Sequence, residues 1–160
     1  MLRVVVTLLL LVTTLSSHAA ERPVATNFTL KSLAGENVRL SEYRGSVVMI
    51  NFWASWCGPC RQELPVLDRL FQRYQRAGFV ILAVNVEEDN QKAKNWVQEL
   101  GLSFPVLFDN GQSVTDGYDV KAMPSSVIID RDGAIAYRHD GYKPGDEAVY
   151  QKKVAELIRE

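Results

Sequence analysis

Cysteine is scarce in this 160-residue chain: there are two, Cys57 and Cys60, and only two histidines, His18 and His139. Two thiols three positions apart exclude a disulfide-stapled scaffold. Closing so short a loop would remove only about 2 kcal/mol of unfolded-state entropy, against roughly 3 for a fifteen-residue loop. Zinc would also be short of ligands, since one histidine and a carboxylate would have to complete the set. Net charge is nearly absent, with 18 Lys and Arg against 19 Asp and Glu giving −1. Nothing in that balance draws the chain to nucleic acid or to an acidic membrane surface. The sequence also has no uninterrupted apolar run of the roughly 20 residues that span a bilayer, no repeat, no low-complexity tract and no interdomain linker.

The N-terminus carries more information. Arg3 precedes an uncharged run, Val4 to Leu15, and the small polar stretch Ser16-Ser17-His18-Ala19-Ala20 follows, which has the three regions of a secretory signal. Cleavage is expected after Ala19, or else after Ala20, and an uncleaved anchor is the competing reading. Residues 20–160 then form one domain, long enough for a self-sufficient core. Cleavage would remove one base and no acid, and no cysteine lies at the junction to carry a lipid. The expected compartment is the periplasm or another extracytoplasmic space.

Past the signal, Phe28-Thr29-Leu30 and Asn37-Val38-Arg39-Leu40 flank a turn containing Gly35 and read as a β-hairpin. Val47 to Trp53 is nearly all apolar and β-prone, as a central strand covered on both faces should be. Leu64, Leu67, Leu70, Phe71 and Tyr74 recur at helical spacing from Gly58 onward, with Pro65 inside the helix and Gly78 closing it. A second buried strand is expected over Phe79 to Val86, a helix over Asn90 to Leu100 ended by Gly101, and a short strand over Phe104 to Phe108. Ser125 to Asp130 and Ala134 to Arg138 read as two strands joined by Arg131-Asp132-Gly133, and Glu147 to Ile158 as a closing amphipathic helix. Together these make an α/β fold with a central mixed sheet flanked by helices. Ligands of such sheets bind beyond the carboxyl ends of the strands, where the two cysteines fall.

Cys57 lies where strand gives way to helix, so unpaired N–H groups and the positive end of the helix dipole favour its thiolate. It is the expected nucleophile, with Cys60 one turn on as the resolving thiol. Gly58 permits close backbone approach, and Pro59 fixes φ at the helix start where no N–H is needed. Half of a zinc site, or Cu(I) held by the two thiols with His139, remain as metal readings. Trp56 is expected on a partner-contact rim and Trp53 in the core nearby.

Phe52-Trp53-Ala54-Ser55-Trp56-Cys57-Gly58-Pro59-Cys60, with Pro65 after it, resembles the active-site segment of thioredoxin. Arg61-Gln62-Glu63-Leu64-Pro65, the added helix and strand, and Tyr118-Asp119-Val120-Lys121-Ala122-Met123-Pro124 more closely resemble the exported TlpA/ResA-type thiol:disulfide oxidoreductases. The likeness runs from about Asn27 to Ile158. It implies a thioredoxin-like fold with an N-terminal hairpin and an inserted helix and strand. It also implies a cis bond before Pro124, with Met123 and Pro124 helping to dock an extended partner segment. Thioredoxin has a buried aspartate at the position of Asn51, where an amide cannot titrate. Glu63 is therefore the candidate for proton transfer at Cys60, acting through water; the competing reading is a solvated acid in the helix's first turn. Gly58 stands where some relatives have a glutamate.

The resemblance further implies disulfide-containing protein substrates, apocytochrome c among them, and a membrane electron donor of the DsbD/CcdA kind; the chain is expected to be a monomer without cofactor or bound metal. Gly-Pro between the cysteines leans towards a reductant: thioredoxin has this dipeptide and lies near −270 mV, about 150 mV below DsbA. The rival functions are a Cu(I) metallochaperone and a thiol peroxidase. The peroxidase reading would need a threonine where Ala54-Ser55-Trp56 precede Cys57.

Overall fold

The computed structural model describes residues 22–160, so the expected signal segment lies outside the described residues. Within them, β1 (Thr29–Ser32), β2 (Asn37–Arg39), β3 (Val47–Trp53), β4 (Phe79–Asn85), β5 (Val106–Phe108), β6 (Ser125–Ile129) and β7 (Ile135–Asp140) form one sheet in the order β2-β1-β5-β4-β3-β6-β7. The helices are α1 (Gly58–Tyr74), α2 (Gln91–Leu100), α3 (Ser113–Gly117) and α4 (Glu147–Ile158).

The central strands follow from apolar content. All seven residues of β3 are buried, and it pairs parallel to β4 from Val47 opposite Phe79 to Trp53 opposite Asn85. On its other side it runs antiparallel to β6, with Asn51 opposite Ser126 and Phe52 opposite Ser125. Side chains alternate across the sheet, so Asn51 meets Glu63 of α1 while Phe52 packs on Tyr118 from the opposite face. Trp53 shares the face of Asn51 and stacks obliquely on Trp96 of α2, centroids 5.5 Å apart.

α1 is held down by one apolar stripe, with Leu64 and Leu67 fully buried; each such side chain contributes about 1.5–3 kcal/mol. The helix runs through Pro65, and the chain leaves through a 3₁₀ turn to Gly78, whose φ of 86° suits glycine. α2 ends as expected at Gly101, which donates to Val97 O at 3.1 Å.

Most bounds shift by a residue or two, β1 running Thr29–Ser32 rather than Phe28–Leu30, and three departures stand out. β5 starts at Val106 rather than Phe104, because Pro105 has no N–H to give to a ladder. β7 continues to Asp140, past the expected end at Arg138, and sets His139 opposite Ser126. α3 had no expected counterpart. It is organised by Asp109, which is 2% exposed and accepts from Val114 N, Thr115 N and Thr115 Oγ at 3.1, 2.8 and 2.7 Å.

Candidate active site

β3 ends at Trp53, Ala54-Ser55-Trp56 turn the chain, and Cys57 takes the N-cap position of α1 in extended backbone. Its N–H donates to Ala54 O at 3.1 Å, which closes the turn. Cys57 and Cys60 form a disulfide with Cα atoms 5.3 Å apart. The Cys60 N–H points at Cys57 Sγ from 3.2 Å. That donor and the helix N-terminus would stabilise negative charge on Cys57 once the bond is reduced. Cys57 is 4% exposed and Cys60 fully buried, so the first sulfur is the one a partner can approach.

Around the disulfide, Gly58 and Pro59 are exposed and Trp56 is 69% exposed, which makes it the most exposed aromatic side chain of the site. Trp53 is fully buried, as expected for a core position beside the site. The Met123–Pro124 peptide bond is cis. Pro124 directly precedes Ser125, which pairs with Phe52 near the carboxyl end of β3, so the proline loop lies at the same end of the sheet as the cysteines. Met123 is half-buried and Pro124 buried.

A carboxylate fixes the turn before Cys57. Glu87, just after β4, accepts from Ser55 N and Ser55 Oγ, both at 2.7 Å, and from Asn85 Nδ2 at 2.9 Å. Sequence reasoning missed it. The tie spans two strands and a loop, so no local spacing announces it.

Glu63 corrects one expectation. It is fully buried rather than a solvated first-turn acid. Its Oε2 accepts from Asn51 Nδ2 at 2.8 Å and its Oε1 from the Tyr150 hydroxyl at 2.9 Å. Burial pushes the carboxyl up to about 7; the bonds from Tyr150 and Asn51 pull it down, and the charge of Asp146 adds to the rise. Cys60, Glu63 and Leu67 recur on the inward face of α1, so the apolar period already contained this burial. Asn51 cannot titrate, but both its amide hydrogens are used, one on Glu63 and the other on Ser126 Oγ at 3.0 Å, leaving its buried Oδ1 without a partner.

The metal readings gain no third ligand here. His139 Nε2 lies 3.0 Å from Asp146 Oδ2, and Nδ1 faces the Tyr137 hydroxyl at 3.3 Å. Among the described residues no three His, Cys, Asp or Glu side chains converge.

With this geometry, comparison with known proteins decides the family. The sequence profile of the AhpC/TSA family matches residues 22–138. The thiol-disulfide oxidoreductase ResA of Bacillus thuringiensis (strain Al Hakam) is 35% identical over 131 residues, 81% of this chain and 76% of the relative. The chain belongs to the ResA-type thiol:disulfide oxidoreductases. ResA of Halalkalibacterium halodurans is 38% identical over 117 residues, 73% of this chain and 66% of that one. Among solved structures, a candidate thiol:disulfide interchange protein DsbE from Chlorobium tepidum superposes with a TM-score of 0.83 at 35% identity, covering 86% of this chain and 96% of that chain. A candidate protein disulfide isomerase from Bacteroides thetaiotaomicron gives 0.79 at 28% identity, covering 86% and 89%. The ResA-type oxidoreductase therefore has the expected thioredoxin-like fold, and it is an enzyme of thiol–disulfide exchange.

Proposed function

We propose that this oxidoreductase reduces disulfides of extracytoplasmic proteins, with Cys57 as attacking thiolate and Cys60 as resolving thiol. The observation that carries this reading is the buried pair at the head of α1, with a backbone donor 3.2 Å from Cys57 Sγ and the exposed Trp56 beside it. The Cys57 thiolate attacks a partner disulfide, forming a mixed disulfide and expelling one partner thiolate. Cys60 then attacks the Cys57 sulfur, expelling the second partner thiolate and leaving Cys57–Cys60 oxidised. The partner gains two electrons and the enzyme loses two. Glu63 takes the Cys60 proton, its raised proton affinity suiting exchange near neutral pH. Trp56, Gly58, Pro59, Met123 and Pro124 form the docking rim for an extended partner segment.

Two further assignments rest on kinship. A membrane donor of the DsbD/CcdA kind re-reduces the pair, and apocytochrome c is a substrate. The N-terminal segment exports the chain, the mature domain is a monomer in the periplasm or an equivalent space, and no described helix is long and apolar enough to cross a membrane. Replacing Cys60 by serine in the native host tests the mechanism. Mixed disulfides through Cys57 should accumulate, and their partners identify the substrates. Normal expression without adducts would count against Cys57 attack. A potential well above about −200 mV for the purified pair would overturn the reducing direction.

A further inference from the structure

A buried acid that exchanges protons needs partners suited to both of its charge states. The two oxygens of Glu63 are served from different elements: Oε2 by the Asn51 amide on β3, Oε1 by the Tyr150 hydroxyl on α4, 87 positions away. Asn51, Glu63 and Tyr150 are each fully buried, and Ser126 is 1% exposed. Ser126 accepts from Asn51 and lies beside the Tyr150 hydroxyl, so the four side chains form one closed cluster. The two partners of Glu63 are chemically unequal. An amide NH₂ only donates, and Asn51 already spends both hydrogens. A phenol hydroxyl donates to a carboxylate and accepts from a carboxylic acid along the same line of atoms.

We propose that Tyr150 is the positioning residue for Glu63: its hydroxyl holds the carboxyl in place through both protonation states, so that a buried acid gains and loses its proton without moving. This rests on the reading of Glu63 as the proton acceptor of Cys60. The other groups around the cluster are Cys60 on α1, Tyr142 and Asp146 before α4, and His139 on β7, whose ring meets Tyr150 edge-on at 5.4 Å. His139 is paired with Asp146, and none of the ion pairs among the described residues includes Glu63. Hydrogen bonds from neutral donors are then what oppose burial, and Tyr150 is one of the two that reach the carboxyl.

Tyr150→Phe removes the hydroxyl and keeps the ring. The reduced protein is labelled with ¹³C-glutamate, and the Glu63 resonance is identified by its loss in Glu63→Gln. The carboxyl titration midpoint should move upward by about one pH unit in Tyr150→Phe, as one donor to a charged acceptor is lost. The pH at which Cys60 resolves a preformed Cys57 mixed disulfide at half its maximal rate should move with it. Incorporating 3-fluorotyrosine at position 150, which strengthens the donor and retains the packing, should move both midpoints downward, and it serves as the test if Tyr150→Phe does not fold. An unchanged Glu63 midpoint in a folded variant overturns the inference, even if thermal stability falls, because packing alone would give that result. A shifted midpoint with a resolution rate indifferent to pH, in wild type and Glu63→Gln alike, supports the Tyr150 assignment and removes Glu63 from proton transfer.

Discussion

At the level of single residues, the site combines two kinds of information. Cys57 and Cys60 are legible from spacing because the chemistry that defines them is local: a helix start, a turn and a second thiol one turn on. Glu87 is not, since it acts on Ser55 across 32 positions. Its two 2.7 Å bonds make the turn before Cys57 dependent on one partly buried side chain. Glu87→Ala should cost about 2 kcal/mol, read as a lower urea midpoint at unchanged slope, since charge-assisted bonds of this kind contribute about 1.5–3 kcal/mol. Glu87→Gln, which can still accept one of the two bonds, should fall between; a wild-type midpoint in Glu87→Ala would show that the turn holds itself. Glu63 stands between these cases. Its place on the stripe of Cys60, Leu64 and Leu67 was present in the sequence, yet a glutamate one turn into a helix is ordinarily solvated, so the two readings stood side by side. Its partners inside are Asn51 on β3 and Tyr150 on the last helix, 12 and 87 positions away.

At the level of elements, the strands and helices with a clear apolar period were legible and those organised by polar side chains were not. β3 and β4 are read directly because both faces are covered. β7 was expected to stop at Arg138 because His139 and Asp140 break the apolar run, yet backbone pairing to Ser126 and Ser125 continues regardless. α3 is five residues long and begins after Gln112 in left-handed backbone, so neither propensity nor period marks it. Its start depends on Asp109, whose Oδ2 takes two backbone N–H groups and one hydroxyl. Asp109→Ala should therefore unpair three buried donors and destabilise the domain by about 2–3 kcal/mol, with amide exchange at Val114 and Thr115 rising first. Global loss without preferential exchange there would show that α3 is held by its packing and not by the aspartate.

At the level of the whole molecule, the buried acid one helical turn beyond Cys60 has a thermodynamic cost. Glu63 titrates near 7 in the fold against about 4.5 for an ordinary glutamate. Between those values the folded protein keeps a proton that the unfolded chain has released, so stability falls as pH rises through that window. The contribution is fully present below about pH 4.5, lost by about pH 7 and constant above it. A difference of that size corresponds to up to about 3 kcal/mol. Asp146 and Glu147, both held below their usual range, act in the opposite sense, but their stabilisation is lost only as pH falls below the ordinary carboxylate range. Glu63→Gln isolates the effect, because an amide has no proton to release. Urea unfolding of the oxidised protein at a series of pH values should show the variant gaining on wild type from about pH 4.5 to 7 and holding a constant advantage above that. A difference independent of pH would mean that the folded carboxyl holds its proton no more tightly than the unfolded one, the bonds from Tyr150 and Asn51 offsetting burial in full. In that event the proton-accepting role of Glu63 would lose its physical basis, since a carboxylate with ordinary proton affinity stays ionised at neutral pH and is a weak base towards the Cys60 thiol.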